Sequence, residues 1–272
     1  MKNINDLIRS RRSVRTFDGT KLEPEQLEKL QSYAETIKNP FGVEVSFAFM
    51  DAAERGLSSP VLSGEKHYVC GRVENIADSQ VAFGYSFESF ILYAQSLGLG
   101  TVWIGGTMNR AAFEQATGLK DNELMPCVTP IGRAADKMSV REVLMRKGVK
   151  ADERLSFEEL FFDGSFDKPL SPEAAGALAQ PLEMVRLAPS AVNKQPWRVV
   201  LSDGKAHFYL RRGKGFGHSE KLDMQMIDMG IALCHFELSA REAGLEPLFC
   251  RENPQLASDG MEYIASYRTA KR

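Results

Sequence analysis

The sequence predicts an α+β fold in two related halves, with antiparallel-type sheets and two long central helices. Three observations carry the prediction. Residues 76–97 and 222–243 each read as a long helix that is apolar on more than one face, through Phe83, Phe87 and Phe90 in the first and Met229, Leu233 and Phe236 in the second. Helices of that kind are packed on several sides. The two stretches also match each other: Gly84 with Gly230, Phe90 with Phe236, Ala94 with Ala240, Gly98 with Gly244 and Leu99 with Leu245, all at a shift of 146. A common order at constant spacing marks an internal repeat. Finally, the strand-like runs gather between the helices and do not alternate with them, which argues against a βαβ winding.

In chain order, residues 6–10 form a short helix with Asn5 as its cap. Phe17-Asp18-Gly19 recurs as Phe162-Asp163-Gly164 at a shift of 145, and Leu22-Glu23-Pro24-Glu25 is echoed by Leu170-Ser171-Pro172-Glu173. In the second copy Ser171 caps a helix and Pro172 takes its first position. Strands are expected at 43–50, 66–72 and 125–131, and again at 198–202 and 206–211. Asp203-Gly204 between the last two is a strong hairpin signal. Gly98 and Gly244 stand just past the long helices, where a left-handed residue ends a helix at little cost. The repeat divides the chain into residues 1–150 and 151–272.

Composition narrows the function. With 43% hydrophobic and 26% charged residues and a net charge of −2, the chain is globular and lacks the cationic excess of a nucleic-acid binder. No apolar run reaches the roughly 18 residues of a membrane helix, and the N-terminus lacks a signal peptide's apolar core. The four cysteines, Cys70, Cys127, Cys234 and Cys250, are scattered and read as buried free thiols of a cytoplasmic protein. No histidine or cysteine pair has the spacing of a metal site, and none is expected. His235 reads as a packed core residue, and Gly213-Lys214-Gly215-Phe216-Gly217 as a mobile loop without dinucleotide-binding spacing.

Two motifs remain that carry chemistry. Arg11-Arg12-Ser13-Val14-Arg15 gathers three guanidinium groups and a hydroxyl. The planar fork of arginine suits phosphate, although a basic helix end is also an ordinary solvated feature. Pro189-Ser190-Ala191-Val192-Asn193-Lys194-Gln195-Pro196-Trp197 is a small-residue turn bearing amide side chains that leads into a strand. Those amides suit the polar edge of a planar ring, or they satisfy the loop's own backbone.

Together the motifs resemble the nitroreductase family, FMN-dependent enzymes in which both motifs stand close together in one subunit and the flavin lies between two subunits. Here they are far apart in a repeated chain, which resembles a fused pair, an intramolecular pseudo-dimer of nitroreductase-like fold. The resemblance implies that Arg11, Arg12 and Ser13 hold the phosphate and ribityl chain, and that Arg15 lies near flavin N1 and O2. It implies that Trp103-Ile104-Gly105-Gly106 passes the ring with a backbone N–H near N5. It further implies that Pro189, Ser190 and Asn193 reach across from the other half, with Gln195 supporting the turn. Arg133 or Lys137 would meet the phosphate. At the repeat positions, Ser156, Glu158 and Leu160 replace Arg11, Ser13 and Arg15, and Phe249-Cys250-Arg251-Glu252 replaces Trp103–Gly106. Each half thus lacks what the other keeps, so the expectation is one FMN per chain in a monomer. NAD(P)H is the expected reductant, and a nitroaromatic, quinone or similar electron-poor small molecule the acceptor. Two alternatives stand beside it: another flavin enzyme of the same fold, of dehalogenase or flavin-fragmenting type, and a non-catalytic flavin carrier or interaction protein.

Overall fold

The computed structural model describes residues 3–213, 222–256 and 260–271. The first half runs α1 (Ile4–Ser10), α2 (Pro24–Thr36), β1 (Val45–Asp51), β2 (His67–Glu74), α3 (Ser79–Ser96), β3 (Gly100–Thr101), α4 (Arg110–Thr117), β4 (Glu123–Leu124), β5 (Val128–Gly132) and α5 (Val140–Gly148). The second runs α6 (Phe157–Leu160), β6 (Phe161–Asp163), α7 (Pro172–Ala175), α8 (Ala179–Arg186), β7 (Trp197–Ser202), β8 (Lys205–Arg211), α9 (Met224–Glu242), β9 (Leu245–Cys250) and β10 (Met261–Lys271).

Each half carries one sheet, and the two are threaded alike. In the first the order is β1-β2-β5-β3, with β4 also on β2; in the second it is β6-β7-β8-β10-β9. An antiparallel strand pair, a long helix, an edge strand and a return to the middle of the sheet are traced once as β1, β2, α3, β3, β5 and again as β7, β8, α9, β9, β10. Every pairing is antiparallel except β6 on β7, which is parallel. Asp203 and Gly204 both have positive φ, 48° and 70°, as the two-residue turn of the β7–β8 hairpin requires.

The long helices α3 and α9 cross in direct backbone contact, and the matched glycines make the crossing possible. A Cβ on Gly84 would lie 2.1 Å from the Ile227 carbonyl oxygen, and one on Gly230 would lie 2.0 Å from that of Val81. Ile227 is Val81 shifted by 146, so the contact is reciprocal about a local two-fold relation. Gly98 and Gly244 have φ of 76° and 75° and end the two helices in the same left-handed conformation. Phe83, Phe87, Phe90, Ile227, Leu233 and Phe236 are fully or almost fully buried in one core that spans both halves.

Local differences from the sequence reading have simple causes. The first long helix begins at Ser79, not 76, because Asp78 is left-handed at φ 63°. The cap of α1 is Asn3, not Asn5: Asn3 Oδ1 accepts from the Asp6 N–H at 2.8 Å. Asn5 lies inside the helix with its side chain buried on α9, accepting from Ser239 Oγ at 2.6 Å. Ser171 does cap α7, accepting from the Ala174 N–H, with Pro172 at the first position. Cys70, Cys127 and Cys234 are buried free thiols, whereas Cys250 is half-buried. Beyond Gly213, the Gly213–Gly217 loop lies outside the described residues. Among the described residues no helix is long and apolar enough to cross a membrane.

Candidate active site

The arginine motif leaves α1 as an extended strand-like segment. Arg11 ends the helix at φ −65°, ψ 130°, and Val14 then donates its N–H to the Thr101 carbonyl at 2.9 Å, with Ser13 bridged to Thr101. Extended backbone alternates its side chains, so Arg11, Ser13 and Arg15 share one face. Val14 is buried in the core beneath β3, and a Cβ on Gly100 would meet its Cγ2 at 2.8 Å. Arg12 and Thr16, on that opposite face, both reach Glu142 of α5, at 3.1 and 2.8 Å. The Arg15 N–H reaches the same carboxylate at 3.2 Å. Glu142 is 1% exposed, so Arg12 is engaged by an internal anion and does not join the open face.

Arg11 and Arg15 are different. Neither guanidinium makes a hydrogen bond among the described residues, although the Arg11 side chain is only 6% exposed. The nearest carboxylate to Arg11 is Glu88, 3.9 Å from Nε. Burial lowers the pKa of both arginines; Glu88 opposes this at Arg11 and Glu142 at Arg15, and the nearby Arg146 adds to it at each. Both stay charged all the same, since a guanidinium does not deprotonate in proteins. Sequence reasoning missed Arg146, in the last turn of α5, and Arg154, in the connector between α5 and α6. Charges in a loop are usually solvated, and nothing in their spacing singled them out.

The Trp103–Gly106 segment leaves β3 on the other side of Glu88. Ile104 exchanges both backbone bonds with Val128 at 2.9 Å. The Trp103 indole N–H donates to Glu88 Oε2 at 2.9 Å, and the ring meets Phe83 and Phe87 edge-on. The Gly105 carbonyl accepts from Arg110 at 2.6 Å. The N–H groups of Gly105 and Gly106 have no partner among the described residues. A Cβ on Gly105 would press on Met224 at 3.1 Å and Cys127 Sγ at 3.3 Å, whereas Gly106 faces open space.

Glu88 links these two arms to the second half. Its Oε1 lies 3.0 Å from His235 Nε2, and His235 Nδ1 donates to the Met184 carbonyl at 2.9 Å. Both side chains of the pair are fully buried. His235 is thus a core residue, as expected, and its ring is hydrogen-bonded to a buried carboxyl group.

The small-residue turn is held from several sides. Both oxygens of Asp228 accept the Ala191 N–H, at 2.9 and 3.1 Å, and Ser190 Oγ accepts from the Gln195 N–H at 2.9 Å. Burial pushes the Asp228 carboxyl well above its ordinary range, against the Ala191 hydrogen bond, with Asp223 adding to the rise. Val192, Asn193 and Gln195 all have positive φ, at 44°, 59° and 49°; for a β-branched residue such as Val192 this is strained backbone. Pro189 is half-buried at the entrance to the turn. The amides are used internally. Asn193 Nδ2 donates to the Lys150 and Glu153 carbonyls at 2.7 and 2.9 Å, and its Oδ1 accepts from Arg154 at 3.2 Å. Gln195 Oε1 accepts from the Leu155 N–H at 2.9 Å. Of the two uses open in the sequence, these side chains perform the backbone-satisfying one, and through it they draw the connector onto the turn. Arg133 and Lys137 are exposed, with Arg133 beside Asp18, and neither is among the charges acting on Arg11, Arg15 or Arg154.

The fold is a mixed α+β arrangement of two similarly threaded, mainly antiparallel sheets with a central helix pair. Residues 3–240 match the family model described as "Putative TM nitroreductase", and the chain belongs to that family. No curated protein matches the sequence. Among solved structures, a Thermotoga maritima protein described as a "putative nitroreductase" is 20% identical, with a TM-score of 0.64 over 98% of this chain and 93% of its own. At that identity it shows the fold. An FMN-dependent nitroreductase from Clostridium difficile (18% identity, TM-score 0.41) covers 52% of this chain and 94% of its own. A Clostridium acetobutylicum protein described as a "Putative NADH Oxidase" (23%, 0.42) covers 49% of this chain and 90% of its own.

Proposed function

We propose that this chain binds one FMN and uses it to pass electrons from NAD(P)H to an electron-poor acceptor such as a nitroaromatic or a quinone. The observation that carries the reading is the pair of guanidinium groups, Arg11 and Arg15, held on one face without hydrogen-bond partners among the described residues. A buried guanidinium N–H without an acceptor, such as Arg11 Nε–H, is costly, and a phosphate monoester is an anion of the right shape for two arginine forks. The free N–H groups of Gly105 and Gly106 fit the polar edge of a planar ring.

Bound FMN would supply the hydride-transfer chemistry. The residues of this chain bind, orient and polarise. Arg11 and Ser13 face the phosphate and ribityl chain. Arg15 supplies positive charge where the reduced ring is anionic. Gly105 and Gly106 present backbone donors toward N5. The Pro189–Gln195 turn closes the site from the second half. The repeat positions support a single site: Ser156 caps α6, Glu158 is exposed, and Leu160 is fully buried in the core.

The visible spectrum of the purified protein and its flavin-to-chain ratio test the reading. One flavin per chain, oxidised form bleached by NADH or NADPH and restored by a quinone, is the expected result. Two flavins per chain, or none after incubation with FMN, overturns it. Arg15→Glu is expected to weaken FMN retention or slow flavin reduction. The same preparation is expected to elute as a monomer on sizing, since the second half already stands where a partner subunit would.

A further inference from the structure

Resting on the reading of an FMN site, we propose that the connector between the two halves is itself a cofactor-binding element, with Arg146 and Arg154 completing the phosphate site begun by Arg11 and Arg15. Arg146 stands one turn beyond Glu142 on α5, the residue that grips Arg12, the Arg15 N–H and Thr16. It therefore lies on the helix face turned to the motif. Its backbone carbonyl accepts from Ala151 at 2.9 Å, and Arg154 in turn donates to the Ala151 carbonyl at 2.9 Å. Arg146, in the last turn of α5, and Arg154, in the connector that follows, are thus linked through Ala151. Arg154 is fixed further by the Glu153 carbonyl at 2.8 Å and Asn193 Oδ1 at 3.2 Å.

Charge makes this linked pair a site. Arg146 is 15% exposed, but its only ion-pair partner among the described residues is Asp152, which is 81% exposed. Nε of Arg154 and Nε of Arg11 are both buried without a partner. Glu142 is already occupied by Arg12 and Thr16, and Glu88 by His235 and Trp103. Behind burial, like charge lowers the pKa of Arg11 through Arg146 and that of Arg154 through Arg11. Arg11 is tied to this group through the neighbouring Arg12–Glu142 contact, and the buried Nε atoms of Arg11 and Arg154 lack acceptors; a phosphate dianion fits such a set of guanidinium groups. The exposed Arg133 and Lys137 are not needed for this role.

FMN and riboflavin differ only by the phosphate, so their affinities, read by fluorescence titration of the deflavinated full-length protein, isolate the phosphate site. Arg146→Ala and Arg154→Lys are each expected to weaken FMN binding about ten- to a hundredfold, the effect of a lost charged hydrogen bond, while riboflavin binding changes less than twofold. Inorganic phosphate is expected to raise the unfolding temperature of the flavin-free wild type beyond chloride at equal ionic strength, and to lose this effect in both variants. Unchanged FMN affinity in both variants, or an equal fall for FMN and riboflavin, overturns the proposal. A wild type that binds no flavin but shows a phosphate shift lost in the variants sinks the FMN reading and leaves the connector site standing. Absence of both flavin binding and the phosphate shift sinks both.

Discussion

Adding one methyl group at the helix crossing gives the sharpest test of the architecture. In Gly230→Ala the new Cβ would lie 2.0 Å from the Val81 oxygen, 2.6 Å from the Tyr85 nitrogen and 2.9 Å from the Gly84 Cα. All three are backbone atoms of α3, so no side chain can swing away. An ordinary contact begins near 3.4 Å, and reaching it parts the helices by about 1.4 Å. Overpacking of a core costs about 1–3 kcal/mol; a rigid backbone contact belongs at the top of that range. The better helix propensity of alanine returns about 1 kcal/mol. The net loss of about 2 kcal/mol corresponds to a fall of about 4–8 °C in unfolding temperature for a chain of this size. Urea and thermal unfolding measure it directly, with Gly148→Ala as control because a Cβ there meets nothing. A Gly230→Ala protein as stable as the control would refute the crossing, and with it the paired arrangement of the halves.

Two further outcomes follow from the buried acids. The folded-state pKa of Asp228 lies above its unfolded value of about 3.9, so its contribution is full below about pH 4 and is lost as pH rises toward the folded value. Asp228→Asn keeps an acceptor for the Ala191 N–H but not the titration, so its urea midpoint should gain on the wild type between pH 4 and 8; a constant difference across that range would contradict the assignment. Glu88→Ala strands the His235 ring, the Trp103 N–H and Arg11 together, and should cost about 3–5 kcal/mol. Glu88→Gln, which keeps an acceptor for Trp103, should cost less, and equal losses in denaturant titrations would show that the hydrogen bonds do not matter.

Much of this fold is legible before any coordinates. The glycine spacing announced the helix pair because backbone contact tolerates no side chain, and a two-residue turn with two positive φ values leaves few choices but Asp-Gly. The final strand was not legible for an equally physical reason. In β10 the register shifts between Tyr263 and Ala265, and Ile264, Ala265, Ser266 and Tyr267 are buried in succession. A bulge of that kind destroys the alternation by which a strand is read. At the site, the arginine motif was visible as a dense local cluster. Arg146, Arg154, Glu88 and Asp228 were not, because contacts distant in sequence position them, as with Asp228 and Ala191 across 37 positions and Glu88 and His235 across 147. The amides of Asn193 and Gln195 were visible as a motif, but which groups they bond depends on where the connector passes.

The Glu88–His235 pair shows what two unlike halves within one chain make possible. Under the repeat, Glu88 corresponds to Cys234 and His235 to Ser89. Two identical subunits meeting at the same helices would have to place every near-axis residue twice: two carboxylates would face each other, or two imidazoles, and like charges repel most strongly where water is excluded. A single chain escapes that constraint. It can set a carboxyl group on one helix and an imidazole on the other, leave a thiol and a hydroxyl at the mirror positions, and so join two unlike side chains by a hydrogen bond at a place where symmetry would set each residue beside its own copy.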